Sequence, residues 1–270
     1  VTTGWTRWSE CGTAFVNAGF CKVPIGARDE LDSVRRAYVS GLRAAMPGGD
    51  PGMDDATYLN RFHEFADPAK LNDARVRVIQ EQGQSEAVRR AVFRTVAPYL
   101  EQLIGPEIAM QRHVNLVIHP PNDTANLLYL HTDAWSGCSP YEVIAWIPLV
   151  SVFGTKSMYL CPREKGEKHL EEFKRGLKLA NAEELFARVQ PDVQPVVADY
   201  GEALLFSPTL LHGALENKTD ETRTILNVRF KALFSPYGTK ALGETFLPVN
   251  YLPASELGLA YESKFGVVSG

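Results

Sequence analysis

The chain is expected to be mainly β, a sandwich or barrel with N-terminal helices packed on the outside of the sheet. Three observations carry this. Helical spacing of apolar residues dominates the first hundred residues, and after Pro106 the texture changes to short β-rich runs. Turn residues separate those runs, as in Pro120-Pro121-Asn122-Asp123 and Asp199-Tyr200-Gly201. Hydrophobic content of 45% and charged content of 22% are those of an ordinary globular chain.

Leu31, Val34, Tyr38, Leu42 and Met46 fall on one helical face, and Pro47-Gly48-Gly49 ends the pattern. A loop rich in Gly, Asp and Pro covers 47–55. A second helix is predicted from Ser85, a suitable N-cap, to Gly105, a suitable stop. Its stripe is Val88, Val92, Val96, Tyr99, Leu100 and Leu103. Strands are predicted over His113–Ile118, Ala125–Leu130, Val143–Val152, Ser157–Leu160, Val193–Ala198, Ala203–Phe206 and Thr224–Phe234. A charged helical insertion interrupts them from Arg163 to about Val189. It has two readings, a cover over the barrel mouth or a solvated connecting helix. We read 1–270 as one domain: a mostly helical part over 1–105, a β core over 106–236 with the insertion at about 163–190, and a C-terminal extension over 237–270.

A net charge of −4 argues against a nucleic-acid partner. No run approaches the roughly 18 to 20 apolar residues of a membrane span. Val1-Thr2-Thr3-Gly4-Trp5-Thr6-Arg7 lacks the layout of a signal peptide. Cys11, Cys21, Cys138 and Cys161 have neither CxxC pairing nor metal spacing. They read as reduced thiols of a cytoplasmic protein.

The chemistry concentrates at His131-Thr132-Asp133. The triplet closes the apolar run Leu127-Leu128-Tyr129-Leu130. On a strand, residues two apart point to the same side, so imidazole and carboxylate are expected in one cavity. His212, after Leu210-Leu211, would complete a two-His, one-carboxylate face. That ligand set leaves three adjacent positions open and suits Fe(II), with room for a chelating 2-oxo acid and O2. An isolated HxD is weak evidence, because a lone histidine is more often structural. Joined to a distal His-Gly and then Arg223, the pattern is specific. Arg223, Ile225, Asn227 and Arg229 share one face of a predicted strand whose other face is aliphatic. Burying a guanidinium there calls for an anion, such as a dicarboxylate cosubstrate. Arg229 is next in line for that role. His113 and Asn115 share a face that could line the cavity, and Asn115 is kept as a cosubstrate candidate. The remaining histidines, His63, His119 and His169, are read as structural.

These residues resemble the Fe(II)/2-oxoglutarate-dependent oxygenases, within them the phytanoyl-CoA-dioxygenase-like branch, over residues 106 to 236. His131-Thr132-Asp133-Ala134-Trp135 is similar to the proximal metal motif, and Val143-Ile144-Ala145-Trp146-Ile147-Pro148-Leu149 to the next core strand. Asp199 to Phe206, then Leu211-His212-Gly213-Ala214 and Asn217, is similar to the run into the distal histidine. Thr222-Arg223-Thr224 falls where the family places its 2-oxoglutarate arginine. The resemblance implies a double-stranded β-helix (jelly roll, cupin-like), metal ligands His131, Asp133 and His212, and Fe(II), 2-oxoglutarate and O2 as cofactors. One departure is the segment after Leu149, which lacks the usual acidic-Asn-Gly turn and Pro-Gly-Ser-His segment. It is similar to oxygenases of carbohydrate and aminoglycoside gene clusters, of the orthosomycin type. Asp133 is present, which favours oxygenation or oxidative cyclisation over halogenation.

The expected substrate is a sugar-containing small molecule, with Tyr129, Trp135 and Tyr159 as candidate contacts. No basic cluster suggests a clamp for coenzyme A. Two other readings stay open. A cupin-type sugar isomerase or epimerase would need no Arg223 and would add a further His or Glu ligand. In a metal-free ligand-binding barrel, His131 and Asp133 would simply bond each other.

Overall fold

A computed structural model describes residues 8–49, 51–124, 127, 129–175 and 182–265. The stretch 1–7, read above for a signal layout, lies outside them. In chain order the helices are α1 (Glu10–Ala18), α2 (Arg28–Ala45), α3 (Asp55–Asn60), α4 (Leu71–Glu81), α5 (Glu86–Ile104), α6 (Arg163–Lys174), α7 (Ala182–Val189) and α8 (Pro253–Phe265). The strands are β1 (Phe20–Pro24), β2 (Ile108–Gln111), β3 (Asn115–His119), β4 (Glu142–Pro148), β5 (Met158–Leu160), β6 (Gln194–Pro195), β7 (Glu202–Phe206), β8 (His212–Ala214), β9 (Arg223–Ala232) and β10 (Phe246–Asn250).

Two sheets form. The larger runs β1-β7-β4-β9-β2-β10, with β3 also on β9, and the smaller runs β6-β5-β8. Among the described residues no hydrogen-bonded ladder closes them into a barrel, so of the expected sandwich or barrel the structure shows an open pair of sheets. The large sheet also draws on strands from outside 106–236. β1 pairs antiparallel with β7, and β10 pairs with β2 at the far edge.

Every residue of β4 is buried, a pattern that periodicity alone cannot assign to a face. The packing explains it. Val143, Ala145 and Ile147 join a cluster with Leu31, Tyr38 and Leu42 of α2 and Val88, Val92 and Val96 of α5. Ile144 and Trp146 join a second cluster between the sheets, with Met158, Leu160, Leu204 and Phe206. β9 splits in the same way. Leu226, Val228 and Phe230 face the helical side, where the Phe230 ring lies 6.2 Å from Phe93. Arg223, Ile225, Asn227 and Arg229 therefore face the space between the sheets.

α2 and α5 end close to where the apolar spacing stops, Ser85 is the N-cap of α5, and Gly105 follows with φ of 86°. Other expectations change. The strand expected over Ala125–Leu130 falls partly on residues 125, 126 and 128, outside the described set; Leu127, Tyr129 and Leu130 are not in a strand. Val193–Ala198 shortens to the two residues of β6, with Ala198 in a lone bridge to Val152. The charged insertion is two helices, α6 and α7, and residues 176–181 between them lie outside the described set. Among the described residues, no helix is long and apolar enough to cross a membrane.

Candidate metal centre

His131 and Asp133 do not sit on one strand. His131 forms a single antiparallel bridge with His212, exchanging both backbone hydrogen bonds at 2.9 Å. The two rings stand side by side, centroids 4.3 Å apart. After Thr132 the chain turns into a short 3-10 helix, Asp133–Ser136, where Thr132 Oγ1 accepts from Trp135 N at 3.3 Å. Ala134 N donates to Pro208 O at 3.0 Å, tying the turn to the segment that leads into His212. The three side chains thus converge through a bridge and a turn rather than through strand alternation. Asp133 Oδ1 lies 3.5 Å from His131 Nε2 and 3.9 Å from His212 Nε2.

Local hydrogen bonds fix both tautomers. His131 Nδ1 lies 2.7 Å from Tyr129 O, and His212 Nδ1 lies 2.9 Å from Leu210 O. A carbonyl only accepts, so each Nδ1 carries the proton and each Nε2 presents a lone pair. His131 Nε2 is buried with no partner among the described residues. Burial raises the Asp133 carboxyl, but the Arg229 guanidinium on its Oδ2 outweighs it and holds the group well below the usual carboxylate range. Two bare nitrogens and an anionic oxygen then face one point with no proton between them. Such an arrangement is costly unless a cation occupies the point, so the donor set fits a divalent metal. The three ligand atoms lie within 4.8 Å of one another, and no other such cluster exists among the described residues.

The two arginines divide the work. Arg229 Nη2 donates to Asp133 Oδ2 at 2.5 Å, and Nη1 lies 3.3 Å from Gln111 Oε1. It is therefore engaged with the carboxylate, not free for a cosubstrate as the sequence suggested. Its hold on Oδ2 leaves Oδ1 toward the histidines. Arg229→Met is expected to weaken divalent-metal affinity by roughly tenfold to a hundredfold, the usual cost of losing such an outer partner; calorimetric Zn(II) titration checks this.

Arg223 opens the same face of β9. It is 7% exposed, and its Nε and Nη1 are buried with no hydrogen-bond partner among the described residues. Burial pushes it down to about 10, so it stays charged at neutral pH. A buried, unpartnered guanidinium demands an anion. Both arginines line one cavity of about 150 Å³ with the three metal-capable residues, Trp146, Phe206 and Asn227.

Asn115 pairs with Asn227 across β3 and β9, on the same face, yet lies outside the cavity lining. Asn227 takes the place expected for it, with Oδ1 buried and without a hydrogen-bond partner among the described residues. The sequence placed Asn227 on this face, but chain position alone does not say how far along β9 the cavity extends. Trp135 is 55% exposed on the 3-10 turn and outside the lining. Tyr129 is partly exposed and enters the site through its backbone carbonyl. Tyr159 is misplaced by parity: Met158 and Leu160 face the space between the sheets, so Tyr159 points to the outer side of β5.

Burial, then the neighbouring His131, push His212 down from its ordinary 6.5 to about 4. The folded pKa is the lower one, so this contribution to stability is whole above 6.5 and is lost as pH falls toward 4. The metal-free protein is expected to lose stability over that window, and His212→Gln to lose less; denaturant melts at stepped pH measure both.

No protein-family model and no curated protein matches the chain. Solved structures do. The nickel complex of ThoJ, a non-haem monooxygenase, is 17% identical, covers 90% of this chain and 84% of its own, and has a TM-score of 0.57. SnoK, a non-haem α-ketoglutarate-dependent carbocyclase from nogalamycin biosynthesis, is 15% identical over 92% of this chain and 99% of its own, at 0.56. EctD from S. alaskensis, solved with 2-oxoglutarate and 5-hydroxyectoine, is 16% identical over 86% and 81%, at 0.55. At these identities the likeness is one of fold: two sheets with flanking helices, similar to the fold of these three proteins.

Proposed function

We propose that this chain is an Fe(II)/2-oxoglutarate-dependent oxygenase acting on a C–H bond of a sugar-containing small molecule. The observation that carries the reading is the convergence of two bare Nε2 atoms and a carboxylate oxygen beside buried Arg223, whose Nε and Nη1 have no partner among the described residues. His131, Asp133 and His212 would hold the iron, and Arg223 would take the far carboxylate of 2-oxoglutarate by a bidentate pair. Bound Fe(II), with 2-oxoglutarate and O2, supplies a two-electron oxidation of a C–H bond. Arg229 keeps Asp133 oriented, and Trp146 and Phe206 give the cavity apolar walls that exclude water.

The finer reading is a phytanoyl-CoA-dioxygenase-like branch on a double-stranded β-helix, its N-terminal helices laid on the large sheet. Support comes from the motifs of the sequence and from the shared cluster of α2, α5 and β4. Exposed Tyr129 and Trp135 would meet the substrate at the mouth. The folds of ThoJ and SnoK, a monooxygenase and a carbocyclase, support either hydroxylation or ring closure. A cupin-type isomerase would need a fourth protein ligand, and the cluster among the described residues holds three.

The test is aerobic incubation with Fe(II), 2-oxoglutarate and a panel of sugars and aminoglycosides. Succinate should form in step with product, and product mass should rise by one oxygen or fall by two hydrogens. Sugar turnover without succinate or O2 consumption would instead establish the isomerase.

A further inference from the structure

Two of the four cysteines are neighbours. Cys11 lies in the first turn of α1, and Cys21 is the second residue of β1. From Cys11 to Ala18 the helix advances about 10 Å. Gly19, at a φ of 83°, reverses the chain. The three steps from Ala18 to Cys21 can then return about 10 Å on extended backbone. Cys21 thereby comes back level with the start of α1. The packing agrees: Cys11 and Phe15, one helical turn apart, lie against the cluster that holds Cys21 and Val23. Burial, and then the Cys11 thiol against it, push the Cys21 thiol up. Both cysteines are free.

The pair can be reached from solvent. Both residues line a surface hollow of about 570 Å³ with Phe20 and Tyr99. Cys21 is 5% exposed, whereas Cys11 is only partly buried. Cys138 and Cys161 are buried and line no part of this hollow. A small oxidant therefore meets Cys11 first, and Cys21 stands behind it to resolve the product.

We propose that Cys11 and Cys21 are a reversible oxidation site, at which a peroxide converts the pair into a disulfide that clasps α1 to β1. In the first step the Cys11 sulfur takes one oxygen of hydrogen peroxide as the O–O bond breaks; a sulfenic acid forms and water leaves. In the second, the Cys21 sulfur attacks the Cys11 sulfur as the S–O bond breaks; the disulfide forms and a second water carries off the Cys21 proton. The two thiols lose two electrons, and one peroxide gains them. A dithiol returns protons and electrons by exchange. β1 is hydrogen-bonded to β7, so the new bond would fix α1 to the edge of the large sheet. The site requires nothing from the metal centre and stands or falls separately from it.

The test uses the full chain, freed of metal by a chelator and exposed to hydrogen peroxide. It is then denatured in iodoacetamide and digested with trypsin. Both cysteines fall in one tryptic peptide, 8–22, bounded by Arg7 and Lys22. That peptide should lose two hydrogens and escape alkylation, and dithiothreitol should reverse both changes. Cys138 and Cys161 should stay alkylatable. Amide exchange over Glu10–Ala18 should slow by about tenfold or more in the oxidised protein. Both cysteines remaining alkylatable, Cys11 carrying two or three oxygens beside a free Cys21, or a covalent dimer through Cys11 overturns the proposal. So does amide exchange in α1 that the disulfide leaves unchanged.

Discussion

His212→Ala is expected to abolish tight Fe(II) binding and to cut 2-oxoglutarate turnover by on the order of a thousandfold or more, since Lewis-acid stabilisation is worth several kcal/mol and each 1.36 kcal/mol is tenfold. The loss follows from the donor set. Removing one imidazole leaves His131 and Asp133, and two donors do not hold a divalent ion against water. The fold should survive, because His212 is tied to His131 through its backbone rather than its ring. Removing the ring even relieves a crowded contact in the metal-free protein, where two lone pairs face the Asp133 carboxylate. Anaerobic calorimetry with Fe(II), paired with thermal melting, separates lost metal from lost structure. Fe(II) affinity equal to that of the parent would remove His212 from the ligand set.

Arg223→Ala is expected to weaken 2-oxoglutarate binding by roughly tenfold to a hundredfold, because a charge-assisted contact is worth about 1.5 to 3 kcal/mol. Arg223→Lys keeps the charge but loses the planar fork, and should fall between the two. Neither variant touches the metal-capable residues, so metal affinity without cosubstrate should hold. That split distinguishes Arg223 from Arg229, whose loss acts on the metal through Asp133. The measurement is the apparent affinity for 2-oxoglutarate from succinate formation, with metal affinity measured separately. Unchanged cosubstrate affinity in Arg223→Ala would place the anion elsewhere.

The sequence was most legible where chemistry, not geometry, decides. His131, Asp133, His212 and Arg223 stand out because few residue types can hold a metal or a dicarboxylate, whatever backbone carries them. The route by which they meet was not legible. Strand alternation gave the right convergence for the wrong reason, since a bridge and a 3-10 turn do the work. The helices α2 and α5 show a period that only one buried face produces. β4 and β5 are buried on both faces, so nothing in their sequence marks which residues look inward, and Tyr159 was assigned to the wrong side. β1 and β10 went unseen for another reason. Each is a five-residue edge strand with a proline, far in sequence from its partner, and only tertiary pairing makes it a strand. Arg229 shared a face with Arg223, but only its 2.5 Å contact with Asp133 shows that its charge is already taken.

The central claim is that His131, Asp133 and His212 form an iron site open to a chelating 2-oxo acid held by Arg223. Anaerobic titration of the protein with Fe(II) and then 2-oxoglutarate tests it most directly. A weak visible charge-transfer band should appear only when both are present. It should be absent in His212→Ala and should need more 2-oxoglutarate in Arg223→Ala. A parent protein that shows no band with both at saturation would contradict the account.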